Sequence, residues 1–307
     1  MSTSVPNIDT PLVRDGGGED VPSVVSGLGP LAGLIGTWNS PTTNPTGYNV
    51  MPLPQATAPN KFILKDFSYY EEMTFSAIAG NVPNRGGTYE QDGYVLFYEQ
   101  RVYFGEGPSQ NNLVHAENGA WIHLVTGPQL QGPYGQGGPI PTPPAPNPIP
   151  SQPANRNIVK QVSVPHGNSI LALGTYSESS GAPTIPNVST LPTGSGVTPS
   201  FYTPYGENDP SNPMVNPNVV LQDALEDVTI SNTIKFDVST KNLGGAVTNI
   251  YFEQKHANVT GFTTTFWLET LDDGSLQLQY SQTIEMTLKQ NNVVYYHIDA
   301  NTLTKVT

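Results

Sequence analysis

The chain has 307 residues, with 12 lysines and arginines against 25 aspartates and glutamates, a formal net charge of −13 and no cysteine. That acidic field repels phosphate backbones, so nucleic acid is not an expected partner; without thiols there is no disulfide framework, zinc ribbon, iron–sulfur site or cysteine nucleophile. Hydrophobic residues make up 36% and charged residues 12%, enough for a sizeable core under a surface that relies on Asn, Gln, Ser and Thr.

In chain order, residues 1–26 read as a flexible leader. Their Asp and Glu do not suit a signal peptide, and no run of apolar residues is long enough to span a bilayer, so a cytoplasmic protein without a membrane partner is expected. Short helical turns are expected in "GPLAGLIGTW" and "VVLQDALEDV" and hardly anywhere else. Period-two alternation marks strands at Phe62–Phe75, Gly93–Phe104, Leu113–Leu124, Ile158–Val164, Ile170–Tyr176, Ile234–Val238, Asn249–Gln254, Phe262–Leu271, Leu276–Leu288 and Val293–Val306. Gly127 to Asn157 reads as a long Pro-rich loop outside the wall and Ser177 to Asn218 as a second loop-rich insertion.

The clearest strand is "LQLQYSQTIEMTL". Leu276, Leu278, Tyr280, Ile284, Met286 and Leu288 share an apolar face with Gln282 as the one polar interruption, while Gln277, Gln279, Ser281, Thr283, Glu285 and Thr287 should face water or a polar partner surface. At thirteen residues it suits a barrel wall better than a sandwich. About ten such strands make an all-β fold, an antiparallel up-and-down β-barrel of lipocalin-like type spanning residues 27–307, with room inside for a ligand.

Several motifs, in order, resemble those of the nitrobindin-like, fatty-acid-binding-like family of haem barrels. "LGPLAGLIGTW" (Leu28 to Trp38) is similar to the family's short helix followed by G-x-W. "FSYYEEMTF" (Phe67 to Phe75), "LFYEQR" (Leu96 to Arg101) and "LVHAENGAW" (Leu113 to Trp121) resemble its F-x-Y-x-E, Y-x-Q-R and H-x-E-x-G-x-W strands, and "YYHIDANTLTKV" its terminal strand. The chain departs from the family in its length and in "NSPTTNPTGYNVMPLP", which stands where the family has a Gly-rich segment. The resemblance implies haem b, with His297 as the iron ligand, His115, Trp38 and Tyr280 around the cofactor, and nitrogen-oxide or peroxide chemistry. The alternative is a haem-free carrier of, or an enzyme acting on, an apolar small molecule in the lumen, with no catalytic residue assigned. A homodimer is compatible with either.

Parity alone places His297 on one strand face with Val293, Tyr295, Asp299 and Asn301, so it is expected to point into the cavity. For "LVHAENGAWIHL" two readings stand: a type I′ turn at Asn118-Gly119, or one strand bulged at the glycine that projects His115, Glu117, Trp121 and His123 to one side, the second being favoured. A cupin-like metal centre from His115, Glu117, His123 and His166 is disfavoured by spacing, and no G-x-S-x-G elbow supports a serine hydrolase.

Overall fold

Period-two sequence becomes, in three dimensions, a sheet that closes on itself. The computed structural model describes residues 13–14, 21–78, 80–83, 91–125, 157–242 and 244–306. Its strands are β1 (Val13–Arg14), β2 (Gly36–Asn39), β3 (Gly47–Pro54), β4 (Phe62–Ile78), β5 (Val82–Pro83), β6 (Asp92–Phe104) and β7 (Leu113–Val125), then β8 (Ile158–Val164), β9 (Asn168–Ser180), β10 (Ile230–Ser239), β11 (Ala246–Asn249), β12 (Ala257–Leu271), β13 (Leu276–Leu288) and β14 (Val293–Lys305). Neighbours run β4–β2–β14–β13–β12–β10–β9–β8–β7–β6, and β6 pairs back onto β4. Because β2 and β3 share the position between β14 and β4, ten strand positions form a closed antiparallel up-and-down barrel. Closure leaves the wall without a free edge.

Inward side chains follow the expected parity. Leu278, Tyr280, Met286 and Leu288 of β13 are buried, Leu276 and Ile284 pack on the same clusters, and cross-strand partners such as Leu278–Leu303 and Ile284–His297 share the interior. One end is plugged by a 3-10 turn, Gly29–Leu34, whose Leu31 and Leu34 are fully buried with Leu28, Trp38, Trp121, Phe236 and Phe266. The helix α1 (Val21–Leu28) leads into this plug, so the last residues of the span expected as a flexible leader are helical. Leu28, where the helix ends, is fully buried in the core.

Two further differences have local causes. The stretch "NSPTTNPTGYNVMPLP" contains β3, concealed by its prolines: Pro52 and Pro54 lie beyond the three residues Tyr48–Val50 that pair with β14, where no neighbour on that side requires an N–H. The strand expected at Asn249–Gln254 is instead the end of β11 and a short helix, α3 (Tyr251–His256). Asn249 holds the chain reversal: its Nδ2 donates to the Val259 carbonyl at 2.9 Å and its Oδ1 accepts from the Val259 N–H at 3.2 Å.

The insertion after β9 is also more structured than a loop. It carries 3-10 turns at Pro199–Phe201 and Thr203–Tyr205, whose Phe201 and Tyr205 pack with Phe62, Met286, Leu288 and Tyr295, and a helix, α2 (Val219–Asp223), laid against the outer wall. Ile185 and Leu221 meet Trp267 and Ala300, which point outward. Gln277, Gln279 and Ser281 on the outer face of β13 are consequently only 6%, 0% and 7% exposed; the polar surface they meet belongs in part to the chain itself, since Gln279 Nε2 donates to the Leu221 carbonyl at 3.1 Å. The Pro-rich loop expected from Gly127 to Asn157 lies, apart from Asn157, outside the described residues. Among the described residues no helix is long and apolar enough to cross a membrane.

Candidate ligand cavity in the barrel

Along the inward face of β14 the interior changes character, from Leu303 beside the plug, through Asn301, to Asp299 and His297. The last two line a cavity of about 290 Å³ in the half of the barrel away from the plug. That volume is at the lower edge of small-molecule sites, roughly 300–1,000 Å³. Its lining is mixed, apolar at Met51, Leu53, Phe67, Ile284 and Met286 and polar at His115, Glu117, His166, Gln282, His297 and Asp299. The helix α3 stands at its margin and contributes Glu253.

Beneath the cavity lies a buried polar belt with its hydrogen bonds largely made. The Tyr69 and Tyr280 hydroxyls are 2.8 Å apart, Gln100 Nε2 donates to the Tyr280 oxygen and to Glu71, and Asn301 Nδ2 donates to Glu71 at 2.8 Å. Burial pushes the Glu71 carboxyl up to about 7 against the pull of these donors. Glu117 behaves oppositely. Burial alone would raise it, but Lys160, His115 and the Tyr98 hydroxyl bring it down to about 2.

Lys160 itself is buried among the rings of Tyr98, Trp121, Phe262 and Phe266 at 5.1–5.5 Å, and it donates to Gln282 Oε1 at 3.2 Å. Burial draws its ammonium below the ordinary value while Glu117 opposes that pull. The aromatic faces and the carboxylate together replace the water that a buried cation loses.

His297 is held by Asn49, whose Nδ2 is 2.7 Å from the imidazole Nε2. Burial, with His115 and His166 nearby, lowers the imidazole to about 3, so it is neutral. With the amide donating to Nε2, the ring proton sits on Nδ1. His115 and His166 lie with ring centroids 5.6 Å apart, and His115, bonded to Glu117, takes a proton more readily than an ordinary histidine although burial opposes it.

Of the residues expected around a ligand, His297 and His115 line the cavity, as His297's strand parity requires. Tyr280 does not; it supports the floor through Tyr69 and Gln100, which do line it. Trp38 lies in the core near the plug and donates from Nε1 to the Leu34 carbonyl at 2.7 Å.

The segment from Leu113 is one strand with neither a turn nor a bulge at Gly119. Its register on β6 is continuous there and shifts only between Val102 and Tyr103. Odd parity alone sends His115, Glu117, Trp121 and His123 to one side. Gly119 serves close approach, since a Cβ there would come within 1.9 Å of the Gln161 carbonyl oxygen. His123 is remote from the other histidines and bonds the Gly27 carbonyl at 2.9 Å. Sequence reasoning missed Lys160, although its place between Ile158 and Val162 in "IVKQV" put it on the inward parity. It also missed Asn49, hidden in the Pro-rich stretch.

Among the described residues no group of three or more His, Asp or Glu side chains is placed to hold a metal ion. The set does not make a haem pocket as it stands. The one nitrogen of His297 free of a proton is engaged by Asn49, and the groups beside that ring are Asp299, His115 and Glu117, not an apolar slot for a porphyrin. The chain matches no protein-family model and no curated relative.

Proposed function

We propose that this chain is a small-molecule-binding barrel whose ligand occupies the cavity at His297, Asp299 and Asn49. The observation that carries the reading is the mixed lining of one cavity, apolar at Met51, Leu53, Ile284 and Met286 and polar at its histidines and carboxyls. Such a space suits an amphipathic molecule better than a purely apolar one. Calorimetric titration of 1-octanol into the protein tests it. Saturable binding with a negative heat-capacity change is expected, together with its loss in Ile284→Trp at an undiminished melting temperature. Equal binding by both proteins, or none by either, overturns the reading.

Haem binding, implied by the family resemblance, is the second reading. What favours it is His297, a half-buried, neutral imidazole facing the lumen. It requires His297 to exchange Asn49 for iron and the cavity to enlarge. An absorption spectrum of protein from a haem-sufficient host decides: a Soret band lost in His297→Ala would put haem in place of the amphipathic ligand.

A further inference from the structure

Resting on the small-molecule reading, we infer that the cavity selects an amphipathic organic cation: an alkylammonium whose N–H groups are received by Asp299 and Asn49, with its apolar body against Met51, Leu53, Ile284 and Met286.

The charged side chains that line the cavity are Glu117, Glu253 and Asp299; no Lys or Arg does so among the described residues. Glu117 already has Lys160, His115 and Tyr98. Asp299 has nothing comparable. It is 9% exposed, and no described residue donates it a hydrogen bond or pairs with it as a counter-ion. The groups that face it are His115 and Glu117 from β7, Glu71 from β4 and Lys160 from β8, the lysine being committed to Glu117 and Gln282. A buried carboxyl left without a donor is costly.

Asn49 repeats the pattern. It is 8% exposed, its Nδ2 is spent on His297, and its Oδ1 finds no partner. The two residues are direct cross-strand partners in the β3–β14 register, so their inward side chains stand side by side. Asn49 Oδ1 therefore lacks a donor and Asp299 a counter-ion. A carboxylate ligand brings no donor and adds like charge; an alcohol brings one. An ammonium brings three N–H groups and the missing positive charge.

Burial, reinforced by Glu117 and Glu71, pushes the Asp299 carboxyl up to about 8 in the protein alone. Capture of an ammonium at pH 7 should therefore transfer the Asp299 proton to solvent, leaving a carboxylate against the intact ammonium, with up to about one proton released per ligand.

The test is calorimetry at pH 7 with octylammonium, 1-octanol and octanoate, repeated in buffers of different ionisation enthalpy. The expected result is octylammonium tightest by about tenfold or more, with proton release. Asp299→Asn should weaken octylammonium by about tenfold or more, and by more than it weakens 1-octanol, and should abolish the proton release. Asn49→Ala, checked for folding by its melting temperature, should likewise weaken octylammonium more than 1-octanol. Similar affinities for all three ligands, or a preference for octanoate, overturn the cationic assignment and leave the cavity reading standing. Absence of binding by any of them removes both.

Discussion

Lys160 and Glu117 form an ion pair inside the barrel, Nζ to Oε1 at 3.4 Å, with both side chains only 1% exposed. Removing one partner of such a pair costs about 3–5 kcal/mol, because the other charge stays buried and uncompensated. Lys160→Met is therefore expected to lower stability by about that much, toward the low end since His115 still bonds Glu117. The double variant Lys160→Met/Glu117→Gln should regain part of the loss. Urea unfolding of the two variants checks this, and a double variant no more stable than the single one would count against the pairing.

The buried acids set the pH profile of the protein alone. Asp299 and Glu71 are raised from 3.8 and 4.5 to about 8 and about 7. Their contribution is fully present below the unfolded values and is lost as pH rises through the folded ones. Glu117 and His297 are lowered to about 2 and about 3 from 4.5 and 6.5, so theirs is present above the unfolded values and lost as pH falls through the folded ones. The melting temperature should peak near about pH 4 to 5 and decline toward about pH 8. Asp299→Asn should flatten the decline, and a variant as steep as the parent would contradict the assignment of that limb.

Gly119 has no room for a side chain, because an added Cβ would meet the Gln161 carbonyl oxygen at 1.9 Å. Gly119→Ala should destabilise by about 2 kcal/mol or more, whereas Gly196→Ala, whose Cβ would touch only Val293 at 3.9 Å, should stay within about 0.5 kcal/mol. Chemical denaturation of the two variants tests the pair.

Leu221 is fully buried against the outer wall, in a cluster with Ile185, Trp267 and Ala300. Leu221→Ala should cost about 2–5 kcal/mol. Because that cluster lies on the opposite side of the sheet from the cavity, affinity for 1-octanol should change little. Loss of binding at a preserved fold would mean that the insertion shapes the cavity through the wall.

The barrel was legible because alternation on β4, β6, β7, β12, β13 and β14 runs for thirteen residues or more, where slipping by one would expose a whole apolar face. The cavity-facing position of His297 was legible for the same reason. What stayed hidden depends on partners far along the chain. Asn49 becomes a cavity residue only through its pairing with Asp299, and the burial of Gln279 is set by an insertion whose contact with β13 no periodicity reveals. The helix α3 was hidden by shortness, since six residues fit a strand pattern as well as a helical turn.

On the proposed reading, ligand enters the lumen beside β13 and β3, where the methionines report on it directly. Met51 and Met286 line the cavity, while Met73 lies in the core near the plug. With ¹³C-methyl methionine, assigned by single Met→Leu substitutions, titration of 1-octanol should shift the Met51 and Met286 resonances together and saturably, leaving Met73 and Met214 in place. Unmoved Met51 and Met286 signals under conditions where calorimetry shows binding would contradict the account.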